Sequence, residues 1–127
     1  MALIKNFRDL NVYKASRIQA GKIFEITGSF PKEERFSLTD QIRRSSRAVK
    51  AMIAEAWARR RYEAAFVNKL SEALGEATET QSWLDDSLDC QYINEQQHHE
   101  FDAAWQSIGA MLNKMIERAG DFCKSAS

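Results

Sequence analysis

The chain has 127 residues, 44% hydrophobic and 28% charged, and its 18 basic and 18 acidic side chains cancel. That length suits one domain, residues 1–127, able to bury a real core without disulfides or metal, and zero net charge argues against nucleic-acid binding by bulk charge alone. Only five Gly and one Pro argue against a β-sandwich, which needs a turn every ~8–12 residues, and favour long helices. Cys90 and Cys123 have no metal-like spacing and read as reduced thiols. The opening MALIKNFRDL lacks the ~7–15-residue apolar core of a signal peptide. No segment approaches the ~18 apolar residues of a membrane span. The expectation is a soluble, cytoplasmic protein without a cofactor.

The first helix is expected over about residues 10–27, with Tyr13, Ser16, Ala20, Phe24 and Thr27 as its buried stripe. Gly28 is expected to supply a left-handed exit and Pro31 to forbid continuation. The second helix, about 38–60, opens with Ser37 as cap and Asp40 in the first turn. Its core face is Leu38, Ile42, Ser45, Val49, Met52, Ile53 and Ala56. EAWARRRYEAAF contains no Gly or Pro, so periodicity alone permits one long helix here. A break is placed near Arg59–Tyr62, because three adjacent arginines suit a helix C-terminus, where the dipole favours cations.

The third helix, about 62–90, offers Phe66, Leu70, Ala73, Ala77, Leu84 and Leu88 to the core. Glu72, Glu76, Glu79 and Asp86 form a second stripe with Trp83 among them. The fourth, about 95–122, is capped by Asn94 with Gln97 in the capping-box position. Its seam is Phe101, Trp105, Ile108, Leu112, Met115 and Ala119. The tail KSAS is expected to fray. Four such helices joined by short loops predict an all-α, up-down-up-down antiparallel four-helix bundle.

Charge is sorted along the chain. Residues 35–61 hold eight basic and two acidic side chains, whereas residues 62–102 hold one basic and ten acidic. Arg43, Arg44, Arg47, Lys50, Arg59, Arg60 and Arg61 could neutralise phosphates, which would give salt-sensitive binding with little sequence preference. The competing reading pairs them with the acidic stripe of the third helix, in the same subunit or the next. Such pairs contribute only ~0–1 kcal/mol each at a surface, yet complementary stripes can fix register.

Other chemistry finds less support. Glu95-x-x-His98 matches half of a di-iron motif, but those sites need a second such motif and two more glutamates. The chain's two histidines are adjacent, so no metal site is expected. Ser45 and Ser46 lie mid-helix without a nearby histidine or a Gly-rich elbow. Glu72, Glu76 and Glu79 read as a solvated face, so no enzyme is expected. Trp83 sits off the core stripe, as an interface anchor would.

FRDLNVYKA, SFP, LTDQIRRSS, IAEAWARR and ALGEATETQ follow one another in order. Through them the chain, over about residues 7–120, resembles the four-helix-bundle proteins encoded in intervening sequences of 23S ribosomal RNA genes. These are related to the accessory variability determinant proteins of diversity-generating retroelements. The resemblance implies a homo-oligomeric, pentameric, barrel-like ring and no known catalysis. In the retroelement relatives a basic surface engages nucleic acid and the partner reverse transcriptase. The family's positions map onto Gln41, Arg43, Arg44, Glu55, Ala73, Leu74, Gly75 and Glu79. Where the family writes Asn-Ile-Ala-Glu-Gly, this chain has Met52, Ile53, Ala54, Glu55 and Ala56, losing a polar contact and a turn-opening Gly.

The expected function is binding of RNA or DNA by a ring, with Glu72, Glu76, Glu79 and Trp83 at the oligomer interface. Gln41, Glu55 and Glu79 are expected as structural polar groups, the two glutamates accepting from Arg43, Arg44 or a neighbouring helix. The alternative is a scaffold that binds a protein partner and uses its charges only to assemble.

Overall fold

The computed structural model describes residues 4–123, so the KSAS tail lies outside the described residues. Four long helices carry the chain: α1 (Asn11–Thr27), α2 (Leu38–Ala58), α3 (Glu63–Asp89) and α4 (Glu95–Glu117). A single turn, α5 (Ala119–Phe122), follows, so the fourth helix stops short of residue 122 as one element. Each long helix packs on the next, and α4 closes on α1.

Side-chain contacts set the directions. Ser45 meets Thr80 and Glu55 meets Lys69, so advancing along α2 retreats along α3. Gln81 meets Asp102 and Asp85 meets His98, so α3 and α4 also run oppositely. Arg43, early in α2, meets Thr27 at the end of α1. The architecture is an all-α antiparallel four-helix bundle.

Its core is a continuous apolar seam. Ile23, Ile42, Val49, Ile53, Phe66, Leu70, Trp105 and Leu112 are fully buried, each large side chain contributing ~1.5–3 kcal/mol. Helix α1 buries Val12, Ser16, Ala20, Ile23 and Thr27. Phe24, expected in that stripe, is 50% exposed, and Tyr13 is half-buried. Spacing of three and four residues permits two neighbouring arcs, and packing chose the one containing Ile23. On α3 the small hydroxyls Thr80 and Ser87 enter the core while Leu88 is half-buried, and Met52 and Phe101 are half-buried too. Thr80 and Ser87 can be buried because each donates to a carbonyl one turn back, Glu76 at 2.9 Å and Trp83 at 2.9 Å.

Helix ends differ from expectation in two places. Gly28 is right-handed, at φ −60° and ψ −24°. The α1 carbonyls of Glu25, Ile26 and Thr27 are instead met by tight i−3 bonds from Gly28, Ser29 and Phe30. Ser37 does not cap α2 with its side chain. It donates to Glu34 Oε1 at 2.6 Å, and that carboxylate takes the cap role by accepting from Leu38 N at 3.4 Å. Tyr92 donates to the other oxygen of Glu34 at 2.8 Å, tying the α3–α4 turn to the α1–α2 connection. The bonds from Ser37 and Tyr92 hold Glu34 below the usual carboxylate range, and the same carboxylate pushes Tyr92 up to about 12.

The capping box at α4 forms as expected. Gln97 N donates to Asn94 Oδ1 at 2.8 Å and Asn94 N to Gln97 Oε1 at 2.9 Å.

Candidate nucleic-acid interface

Helix α2 has two polar edges, and the cations divide between them. At ~100° per residue, Arg43 and Lys50 fall towards α1, while Gln41, Arg44 and Glu55 fall towards α3. Arg47 lies between, where it borders both neighbours. This rotation bears on pairing within the chain. Among the described residues, no cation of α2 lies within 4.0 Å of a carboxylate of α3. Arg44 reaches only Asp40, one turn back at 3.9 Å, with its side chain 72% exposed.

On the α1 edge, Arg43 is held by α1 and not by a carboxylate of α3. Its Nε donates to Thr27 Oγ1 at 2.8 Å and a terminal nitrogen donates to the Phe24 carbonyl at 3.3 Å. A cation is favoured there by the C-terminal dipole of α1. The Arg43 guanidinium carbon sits 4.5 Å from the centre of the Phe24 ring, and that of Arg47 sits 5.4 Å from it. Lys50 is half-buried one turn further on. Arg17, exposed and seven residues before Phe24, falls on the same stripe of α1. Phe24 and Arg17 were not expected at this surface. The available signal was the i, i+4 pair Arg43 and Arg47, which puts two guanidiniums on one face of α2.

The α3 edge follows another rule. Glu55 and Glu79 do not bind Arg43 or Arg44. Glu55 pairs with Lys69 at 3.2 Å, and Lys69 also pairs with Glu72 at 2.9 Å. The lone lysine of α3 thus bridges two carboxylates, which raise its pKa, Glu72 most strongly. The pair runs with reversed polarity, its acid on α2 and its base on α3. Glu79 accepts from Trp83 Nε1 at 3.3 Å.

Between the helices a groove of about 360 Å³ is bordered by Gln41, Arg44, Arg47, Glu76 and Glu79. Burial raises the Glu76 pKa first and the neighbouring Glu79 adds to it, while Arg44 opposes both. Half-buried Trp83 borders a second cleft with Phe36 and Asp86. Of the remaining family positions, Ala73 is buried, Leu74 half-buried, and Gly75 exposed with open space where a Cβ would stand. Met52 and Ala56 in place of Asn and Gly leave α2 helical to Ala58.

At the end of α2, the turn 59–62 presents three arginines. Arg59 and Arg61 are exposed. Arg60 lies 3.5 Å over the Trp57 ring, and its Nε donates to the Trp57 carbonyl at 2.8 Å, satisfying an end carbonyl of the helix. None of the three has a carboxylate within 4.0 Å among the described residues. Tyr62 beside them is 66% exposed.

Ser45, Ser46 and His98 make contacts within the bundle. The Ser45 and Thr80 hydroxyls lie 2.8 Å apart in the core, and Ser46 donates to the Arg43 carbonyl at 3.1 Å. His98 contacts Asp85 Oδ1 at 2.8 Å. Among the described residues, no three His, Cys, Asp or Glu side chains converge as a metal site needs, and no helix is long and apolar enough to cross a membrane.

Fold and surface together define a small helical-bundle protein with segregated charge. More narrowly, the chain belongs to the 23S rRNA-intervening sequence protein family, whose model matches residues 8–114. It is similar to a protein of unknown function from the S23 ribosomal protein family of Bacteroides thetaiotaomicron. That crystal structure aligns with a TM-score of 0.76 at 31% identity, over 84% of this chain and 95% of that one. No curated protein matches the chain.

Proposed function

We propose that this chain is a non-enzymatic, cytoplasmic, homo-oligomeric bundle protein that binds RNA or DNA through the cations of α2. One observation supports this most directly: Arg47, Lys50, Arg59, Arg60 and Arg61 lack a carboxylate within 4.0 Å among the described residues. Charges left uncompensated in the subunit repel one another until a polyanion or a neighbour meets them. The resemblance adds a pentameric ring, a kinship with retroelement accessory proteins and a protein partner such as a reverse transcriptase. In such a ring the acidic side of α3, with Glu72, Glu76, Glu79 and Trp83, would face the next subunit.

A scaffold ring that binds a protein partner is the second reading. The groove between α2 and α3 favours it, because walls of both signs suit a neighbouring copy of the same chain.

Binding of a labelled structured RNA and a DNA duplex at low and moderate salt separates the two. Wild type is compared with a variant in which Arg59, Arg60 and Arg61 are changed to Glu, with oligomer size measured for both. Affinity that falls steeply with salt, and is lost in a variant of unchanged size, is the expected result. No binding at low salt would leave the charges to assembly and sink the nucleic-acid reading.

A further inference from the structure

Three surface regions compete as places for a nucleotide. The Phe36 and Trp83 cleft has Glu34 and Asp86 on its rim, and carboxylates there repel the phosphates that flank any base. The groove beside Arg44 carries Glu76 and Glu79 and no aromatic ring, so it offers a base nothing to stack on and its carboxylates repel a phosphate. The α1–α2 seam joins an exposed ring to cations that have no carboxylate within 4.0 Å among the described residues, and it sets two guanidiniums over one ring, where the Arg59–Tyr62 turn sets one over Trp57.

There, half of Phe24 is exposed and two guanidiniums share its ring. Arg43 is fixed by two hydrogen bonds, which leave three of its five N–H donors unused. A guanidinium held in place with unused donors loses little freedom when it binds an oxyanion. Holding two like charges over one ring is costly in the empty state, and an anion between them would relieve the repulsion. Arg17 lies seven residues from Phe24 on the same stripe, on the order of 10 Å along the helix, close enough for a further phosphate of the same strand.

We propose that Phe24, Arg43 and Arg47 form a subsite for an unpaired nucleotide. Its base stacks on the exposed layer made by the Phe24 ring and its guanidiniums, and its phosphate takes the free N–H donors of Arg43 and Arg47. The proposal rests on the nucleic-acid reading above and deepens it, since a base can reach such a layer only outside a duplex. The preferred ligand is therefore a single-stranded segment, with little dependence on sequence because every base has a stacking face.

The test uses the full chain with a short labelled oligouridylate and an RNA duplex of the same length, titrated at several salt concentrations. Wild type should bind the single strand about tenfold more tightly than the duplex. Phe24→Leu keeps an apolar side chain at a half-exposed site. It should lower single-strand affinity about tenfold while leaving duplex affinity and the salt slope unchanged. Arg47→Lys keeps the charge but loses the planar group, and should weaken single-strand binding with the salt slope preserved. The Lys variant keeps the test valid if the Leu variant folds poorly. Equal affinity for strand and duplex, or full single-strand affinity in both variants, would overturn the subsite while leaving the nucleic-acid reading intact. No binding of either probe at low salt would overturn that reading, and the subsite with it.

Discussion

Ser45 and Thr80 place two hydroxyls 2.8 Å apart inside an apolar seam. Thr80 already donates to the Glu76 carbonyl at 2.9 Å, so its oxygen accepts from Ser45. Thr80→Val removes the acceptor and leaves the buried Ser45 hydroxyl only a 3.3 Å contact with the Ile42 carbonyl. The expected loss is ~1–2 kcal/mol in urea unfolding. The double variant Ser45→Ala, Thr80→Val removes donor and acceptor together and should lie closer to wild type than the sum of the singles. Strict additivity would show that the two hydroxyls do not interact. The spacing of α2 puts Ser45 on the core face, where it is buried, but nothing in the sequence pairs it with Thr80. A helical wheel gives the facing direction of one helix and not the height at which two helices meet.

Among the helices, the end of α3 shows most clearly how a local rule is met by an unexpected residue. Gln91 has φ 62°, the one positive φ among the described non-glycine residues. Its N–H donates to the Leu88 carbonyl at 2.9 Å, and that of Tyr92 to the Ser87 carbonyl at 2.9 Å, the bond pattern of a Schellman cap. A left-handed residue with a Cβ costs roughly 1 kcal/mol, so Gln91→Gly should raise stability by up to ~1 kcal/mol. Thermal unfolding measures it, and a fall in Tm would mean that the glutamine side chain or the stiffer unfolded chain outweighs the strain. The sequence offered Gly28 as the left-handed residue, and the structure puts that conformation at Gln91. Glycine permits the left-handed region without requiring it, and in the α3–α4 turn that conformation returns the Gln91 and Tyr92 N–H groups to the Leu88 and Ser87 carbonyls. The cap at Asn94 was legible because both of its partners lie within four residues. Glu34 as the cap of α2 was not, since its position depends on how the preceding turn folds.

Across the whole molecule the bases gather on α2 and the acids on α3, and in the groove where the two helices meet Glu76 sits beside a second carboxylate, Glu79. The pKa of Glu76 is raised by burial first and by Glu79 next, so the folded state favours its protonated form. Ionisation therefore costs stability above the raised pKa, and the cost disappears as pH falls below the ordinary value of 4.5. Glu76→Gln should stabilise the subunit at pH 7 by less than ~1 kcal/mol, since the groove is open to water, and should be neutral near pH 4. Urea unfolding at both pH values tests the sign. If the substitution instead loosens the oligomer at pH 7, a neighbour's cation occupies the groove, as the ring reading of α3 requires.

What the sequence by itself determined is what depends on neighbours along the chain: four helical segments, the core faces of α2 and α4 in outline, and the sorting of charge by segment. These follow from periodicity, capping and dipole effects that act within a few residues. Only the tertiary structure decided how each helix is rotated against the next. That rotation turned Arg43 and Lys50 away from the acidic helix, brought Phe24 out beneath two arginines, and gave Glu55 to Lys69. The physical reason is that ion pairs at a surface contribute at most ~1 kcal/mol, whereas each buried core side chain contributes ~1.5–3 kcal/mol. Packing sets the rotation, and the charges take the positions that packing leaves them.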